Sequence, residues 1–141
     1  MKIFLDANIL VTVLCNEYPQ FTFCSRILSL CDNPKFEVYT SPICLAIAFY
    51  FAEKKSGHVL AKKKIALLSD KIKIAAVDET IVRKAAADKS VKDFEDGLQY
   101  YSAFQAKCRY IITHDKNDFY FSQIEVLTAE QFLLHHVAIH K

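Results

Sequence analysis

The sequence has little glycine or proline, 2 and 3 residues among 141, which argues against a loop-rich scaffold or a flexible linker. It lacks C-x-x-C spacing: its five cysteines (Cys15, Cys24, Cys31, Cys44 and Cys108) are odd in number, and no pair is placed as in a zinc or redox site. Most of them lie in apolar runs, where cysteine behaves as a small hydrophobe, so reduced core thiols and a cytoplasmic location are expected. An excess of one charge is also missing. With 18 basic and 16 acidic residues the formal charge is +2, which excludes binding by gross positive charge and makes any nucleic-acid contact local. No apolar run is long enough for a membrane. The uncharged stretch from Val38 to Ala52 is short and contains Pro42, and the N-terminal apolar run meets Asp6 too early for a signal peptide. No G-x-G-x-x-G follows the first apolar run, which removes a dinucleotide site.

What is present is a large apolar fraction, 52%, with 13% aromatic residues, enough to bury a substantial core in a single domain spanning residues 1–141. Lys2 to Leu5 reads as a buried strand, followed by a helix to Leu14 that Asn8 can cap. Phe21, Cys24, Leu28 and Cys31 recur at helical spacing, so a helix is expected from about Gln20 to Cys31. Asp32-Asn33-Pro34 ends it. Glu37 to Thr40 reads as a second strand. Ser41 then caps a helix with Pro42 at its first position, running to about Lys54 and apolar on most faces. A lysine-rich helix to about Ser69 follows Gly57, and Lys71 to Val77 alternates like a strand. Asp78 caps a helix to about Lys89, and Asp93 opens another to Lys107. Arg109 to Thr113 is a strand ending in a turn from His114 to Asp118. Glu125 to Leu127 is a short strand, and Thr128 caps a terminal helix. Strands interleaved with helices point to an α/β fold, a parallel sheet covered on both faces.

The acids fall where strands end. Asp6 closes the first strand, Asp115 and Asp118 follow the fourth, and Asp93, Glu95 and Asp96 open the helix before it. Ligand sites of open parallel sheets lie outside the carboxyl ends, where strand order reverses. If the first and fourth strands are neighbours, these acids converge. Crowded carboxylates stay protonated unless a cation neutralises them, and an oxygen-only set favours Mg²⁺ or Mn²⁺. Such an ion serves phosphoryl chemistry by lowering the pKa of an attacking water and steadying the leaving oxygen.

Three segments occur in order: Phe4-Leu5-Asp6-Ala7-Asn8-Ile9-Leu10, Asp93-Phe94-Glu95-Asp96-Gly97-Leu98-Gln99, and Tyr110-Ile111-Ile112-Thr113-His114-Asp115-Lys116-Asn117-Asp118-Phe119. Together with Val126-Leu127-Thr128-Ala129-Glu130-Gln131-Phe132 they resemble the PIN domain family, as in VapC-type toxins. The resemblance is closest to a bacterial subgroup with an F-E-D-A-L-Q-type segment. It implies a three-layer sandwich around a five-stranded parallel sheet of order 3-2-1-4-5. It also implies an Mg²⁺- or Mn²⁺-dependent ribonuclease, the toxin of a toxin–antitoxin pair. By the same resemblance Asp6, Asp96, Asp115 and Asp118 are the catalytic acids, with Asp6, Asp96 and Asp115 as metal ligands. Asn8 and Thr113 brace them, and Asp93 and Glu95 are auxiliary. Single-stranded or structured RNA, an antitoxin and a second copy of the chain are the implied partners. One departure stands out: many PIN nucleases carry a glutamate on the helix after the second strand, and that position here is Ala46, give or take one register step.

Other readings of the same residues remain open. Asp6 and Asp93 could be helix caps, and Asp115 and Asp118 ordinary turn residues. His114 reads as a solvated turn histidine rather than a phosphate contact, and His135, His136 and His140 as helix and tail without metal-ligand spacing. Seven lysines fall between Lys54 and Lys73. Lys62, Lys63 and Lys64 among them are candidates for RNA phosphates, beside the plainer reading of a solvated helix face. The aromatics Phe49, Tyr50 and Phe51 and Tyr100, Tyr101 and Phe104 read as core or dimer contacts. The helix from Pro42 to Ala52 and Tyr120-Phe121 are the candidate dimer surfaces. A binding module with an RNA groove and no turnover is the alternative function. A phosphatase using Asp6 as nucleophile would need a second acid at position 8, which is Asn8.

Overall fold

The computed structural model describes residues 1–137, so His140 lies outside the described residues. Five strands, β1 (Lys2–Leu5), β2 (Glu37–Thr40), β3 (Lys73–Ile74), β4 (Tyr110–Ile112) and β5 (Glu125–Leu127), form one parallel sheet of order β3-β2-β1-β4-β5. Ile3, Phe4 and Leu5 are all fully buried. Successive strand residues face opposite sides, so both faces of β1 are covered. The helices are α1 (Ala7–Leu14), α2 (Phe21–Ser29), α3 (Pro42–Ser56), α4 (His58–Lys71), α5 (Glu79–Ala87), α6 (Phe94–Gln105) and α7 (Ala129–His136). α1 packs on α2 and α3, α3 on α4, α5 on α6, and α2 on α7. This is the three-layer α/β arrangement expected from the sequence.

Several element ends have local causes. Ser41 accepts the Cys44 N–H at the start of α3, with Pro42 in its first turn. Asp78 and Thr128 cap α5 and α7, and Thr128 and Gln131 form a reciprocal capping box. The cap of α1 is Asp6, whose side chain accepts the Ala7 N–H, and not Asn8. Asn8 is inside the helix and faces β4. The third strand keeps only Lys73 and Ile74 of the expected run from Lys71 to Val77. Its one neighbour, β2, ends at Thr40, so the ladder closes with the Ala75 N–H on the Thr40 carbonyl. The turn after β4 tightens into a 3-10 helix over Lys116–Phe119.

α3 is less buried than its composition suggests. Only Cys44, Ala48 and Ala52, spaced four apart, are buried, while Tyr50 and Phe51 stay exposed. The end of α1 is held by cations: the Lys55 ammonium donates to the Cys15 carbonyl, and that of Lys64 donates to the Leu14 carbonyl at 2.8 Å. Both satisfy terminal carbonyls that have no partner in the helix. Gly97 lets α6 approach α5 closely, since a Cβ there would stand 2.6 Å from Val91 Cγ1 and 3.2 Å from Ala85 Cβ.

Candidate active site

The sheet order puts the ends of β1 and β4 side by side, at the point where the chain returns from one edge to lay down the other half. The Asp6 N–H donates to the Ile112 carbonyl (3.0 Å), and the Thr113 N–H to the Leu127 carbonyl (3.0 Å). These bonds carry the ladder past the strand ends and fix Asp6 and Thr113 against each other.

Thr113 Oγ1 is the hub. It donates to Asp6 Oδ2 at 2.8 Å, and it accepts from Asn8 Nδ2 at 3.0 Å and from the Asp115 N–H at 3.2 Å. A hydroxyl has one proton and two lone pairs, so two incoming donors oblige that proton to point at Asp6. Asp6 Oδ1 accepts the Ala7 N–H at 2.8 Å. Both oxygens are thus held in place. Asn8 is orienting too: its Oδ1 accepts the His114 N–H at 3.2 Å.

Asp6, Glu95, Asp96 and Asp118 share one cavity of about 310 Å³ at this edge. Burial pushes the Asp6 carboxyl up to about 6, against the Thr113 and Ala7 hydrogen bonds, with the charges of Asp118 and Glu95 adding to the rise. Asp96 is pushed up to about 7, first by burial, then by Asp93, Asp118, Asp6 and Glu95. Asp118 is raised by burial and by Asp115 and Asp93. These side chains therefore feel one another across one hollow, as the strand-end argument anticipates.

Two sequence-identified acids stand outside that hollow. Asp115 is exposed and does not line it, although its charge reaches Asp118 and His114. Asp93 caps α6, its carboxylate accepting the Asp96 N–H at 3.1 Å, which fulfils the cap reading while leaving its charge beside Asp96. Lys62 and Lys63 are exposed on α4, whereas Lys64 is half-buried on Leu14. His114 is not the solvated turn residue expected: it is half-buried, and its Nε2 lies 2.9 Å from Thr12 Oγ1. Burial lowers its pKa, against Asp115 and Glu17.

The sequence reading missed other cavity residues. Glu17 enters because Asn16 takes a left-handed conformation (φ 53°) and the Glu17 N–H returns to the Thr12 carbonyl at 3.0 Å. No spacing announces that. Ile47 and Phe51, four apart on α3, line the same cavity, and Ala46 does not, so the position facing the acids is one register step on. Gln99, three residues after Asp96 on α6, is buried. Its Oε1 accepts the Ser41 hydroxyl at 2.5 Å, tying α6 to the start of α3, while Nε2 has no partner among the described residues. Its spacing from Asp96 was a usable signal.

The donor chemistry, carboxylate oxygen only, fits a hard divalent cation. Asp6 keeps one lone pair on each oxygen for it, and positive charge would offset the crowding that raises Asp6 and Asp96. Among the described residues no three His, Cys, Asp or Glu side chains already converge as a ligand set.

Fold and site together define a class: a parallel α/β protein with a carboxylate-lined hollow at the switch point of its sheet. A PIN domain family model matches residues 2–117. Ribonuclease VapC1 of Aquifex aeolicus (strain VF5) is 32% identical, over 93% of this chain and 92% of that protein. The fold is shared with VapBC-1 of nontypeable Haemophilus influenzae (TM-score 0.71, 18% identity, 92% of this chain and 99% of that one). It is also shared with VapBC2 of Rickettsia felis, solved with a DNA fragment of its promoter (TM-score 0.69, 15% identity, 91% and 98%). A third likeness is Mycobacterium tuberculosis VapC20, a sarcin-ricin loop cleaving toxin (TM-score 0.62, 16% identity, 77% and 86%). The chain belongs to the PIN domain family.

Proposed function

We propose that the chain is a metal-dependent ribonuclease that hydrolyses RNA phosphodiester bonds as the toxin of a toxin–antitoxin pair. The observation that carries the reading is Asp6, locked on both oxygens at the strand crossing, with Asp96, Asp118 and Glu95 in the same hollow. The relative named as a ribonuclease, and the toxin and toxin–antitoxin complexes that share the fold, support it.

In this reading Asp6, Asp96 and Asp118 are the acids that would hold Mg²⁺ or Mn²⁺, with Asp115 flanking them. When bound, the ion polarises a phosphoryl oxygen and makes water a nucleophile near neutral pH. Thr113, Asn8 and the Ala7 N–H keep Asp6 in one orientation, so no rotamer search precedes each turnover. To the Asp96 carboxylate, on the first turn of α6, we assign the role of taking the proton from attacking water. Asp93 and Glu95 keep the rim negative. Exposed Lys62 and Lys63 are candidates to draw RNA phosphates, a role that suits Lys64 less because its ammonium already caps α1.

We further take residues 1–141 as a single PIN-like domain, and an antitoxin and a second copy of the chain as partners, with exposed Tyr50 and Tyr120 as candidate dimer contacts. No described helix is long and apolar enough to cross a membrane. The cysteines are free, and Cys15, Cys24, Cys44 and Cys108 are buried, which supports the cytoplasm. The second reading, an RNA-binding module with weak or no turnover, is favoured by one feature: Ile47 stands on α3 where an acid would complete the ligand set.

The test is cleavage of single-stranded RNA by the purified protein. Cleavage requires Mn²⁺ or Mg²⁺, stops with EDTA, and is lost in Asp6→Asn and Asp96→Asn with circular dichroism unchanged. Full-rate cleavage by either variant refutes the nuclease assignment. Retention of RNA with steep salt dependence and no products favours the binding module.

A further inference from the structure

The cavity does more than gather acids. It continues along α1 past Val11 and Thr12 to Glu17, beyond the C-terminal end of the helix. Eight helical residues separate its two ends, about 12 Å at 1.5 Å per residue. Glu17 thus stands at the end of the cavity remote from Asp6. The wall between the two ends is apolar: Val11 and Ile47 are half-buried, and Phe51 is 44% exposed. The far end is polar: Glu17 and His114 both line it, the charge of Glu17 reaches His114, and His114 is tied to Thr12. A volume of about 310 Å³ is at the low end of small-ligand sites.

We propose that this arm of the cavity is a nucleobase subsite, in which Phe51 stacks on the base beside the cleaved phosphate and Glu17 selects guanine. The inference rests on the ribonuclease reading and deepens it. An aromatic face beside an acid-lined phosphate site suits an unpaired base, because every base has a π face. Selection follows from hydrogen-bond parity. A carboxylate only accepts. On its Watson–Crick edge guanine offers N1–H and N2–H₂ side by side, matching both carboxylate oxygens. Adenine and cytosine each set an acceptor next to their amino group, and uracil flanks N3–H with two carbonyls, so each presents a lone pair to Glu17. Single-stranded RNA exposes this edge, whereas a duplex hides it.

The substitution Glu17→Gln turns one acceptor into a donor, and the amide then pairs with adenine, cytosine, uracil or the N1–H/O6 side of guanine alike, so selection is erased. The test sequences the ends produced from a degenerate single-stranded RNA, and in parallel measures, in EDTA so that no cleavage occurs, binding of oligoribonucleotides that differ in one base. Wild type is expected to favour guanine about tenfold or more at one position flanking the cut, and Glu17→Gln to erase this preference. Phe51→Ala weakens binding of every base about tenfold, and Phe51→Trp restores it. Cleavage without base preference, or a preference untouched by Glu17→Gln, overturns the subsite and leaves the nuclease standing. Guanine-selective binding without any cleavage does the reverse. Loss of a protein partner's binding in Glu17→Gln, with base preference unchanged, assigns the arm to a peptide and also overturns the proposal.

Discussion

Replacing Asp6 by asparagine separates the charge on this side chain from its hydrogen bonds. The carboxyl is raised from 3.8 to about 6, mainly by burial. A folded-state value above the unfolded one means that the native protein binds the proton more tightly. The group then costs no stability below about pH 4, costs progressively more as pH rises from 4 to 6, and holds a constant penalty above that. Two pKa units correspond to about 3 kcal/mol, of which roughly 2–3 kcal/mol develops between pH 4 and pH 8. An asparagine at this position carries no such penalty, but it brings a different defect. Its Oδ1 can still accept the Ala7 N–H, yet its amide nitrogen then meets Thr113 Oγ1, which already accepts from Asn8 and Asp115. That mismatch costs about 1–2 kcal/mol at every pH. Asp6→Asn is therefore expected to be less stable than wild type near pH 4 and more stable near pH 8, in EDTA. Urea unfolding followed by circular dichroism at both pH values gives the two differences. Their difference cancels the hydrogen-bond defect and isolates the charge. A stability difference that moves by less than about 0.5 kcal/mol between pH 4 and pH 8 refutes the claim that Asp6 is a buried, charge-strained carboxylate.

Thr113→Val removes the partner of Asp6 Oδ2, Asn8 Nδ2 and the Asp115 N–H together, so urea unfolding should show a loss of about 2–3 kcal/mol. It should also raise the Asp6 pKa, since the Thr113 bond lowers it. Ile47→Glu places a carboxylate in the acid-lined cavity and Ala46→Glu does not, so calorimetry should find Mn²⁺ binding about tenfold tighter in the first variant only. Lys64→Met should cost about 1 kcal/mol of stability through the Leu14 carbonyl left unpaired. Lys62→Gln and Lys63→Gln should instead leave stability unchanged and each lower the salt slope of RNA binding by about one.

Much of the fold is legible in the sequence because the relevant signals are local. Ser41-Pro42, Asp78 and Thr128 mark helix starts by chemistry that works within a few residues. The apolar run from Lys2 to Leu5 needs only its own pattern to read as a strand covered on both faces. Misreadings arise where a neighbour decides. The strand expected from Lys71 to Val77 shortens to Lys73–Ile74 because β2 ends, and no pattern within that segment carries the length of its partner. Asn8 looks like a cap, but Asp6 takes the role and leaves Asn8 free to bind Thr113 and His114, more than a hundred residues along the chain. The candidate site divides in the same way. Asp6, Asp96 and Asp118 are legible as acids at strand ends and on one helix face. Glu17 enters through a left-handed Asn16, and Ile47, within the one register step allowed around Ala46, is the position that lines the cavity once Cys44, Ala48 and Ala52 are buried. Asp115, the acid nearest the end of β4, stays outside the hollow because the chain curls at once into a 3-10 turn that presents Asp118 instead.

The most direct measurement of the central claim is anomalous diffraction from crystals soaked in Mn²⁺. The account predicts a peak at cation–oxygen distance, about 2.0–2.6 Å, from Asp6, shared with Asp96 or Asp118 and absent in Asp6→Asn. A saturating soak with no peak beside Asp6, or with the ion bound only elsewhere, contradicts it.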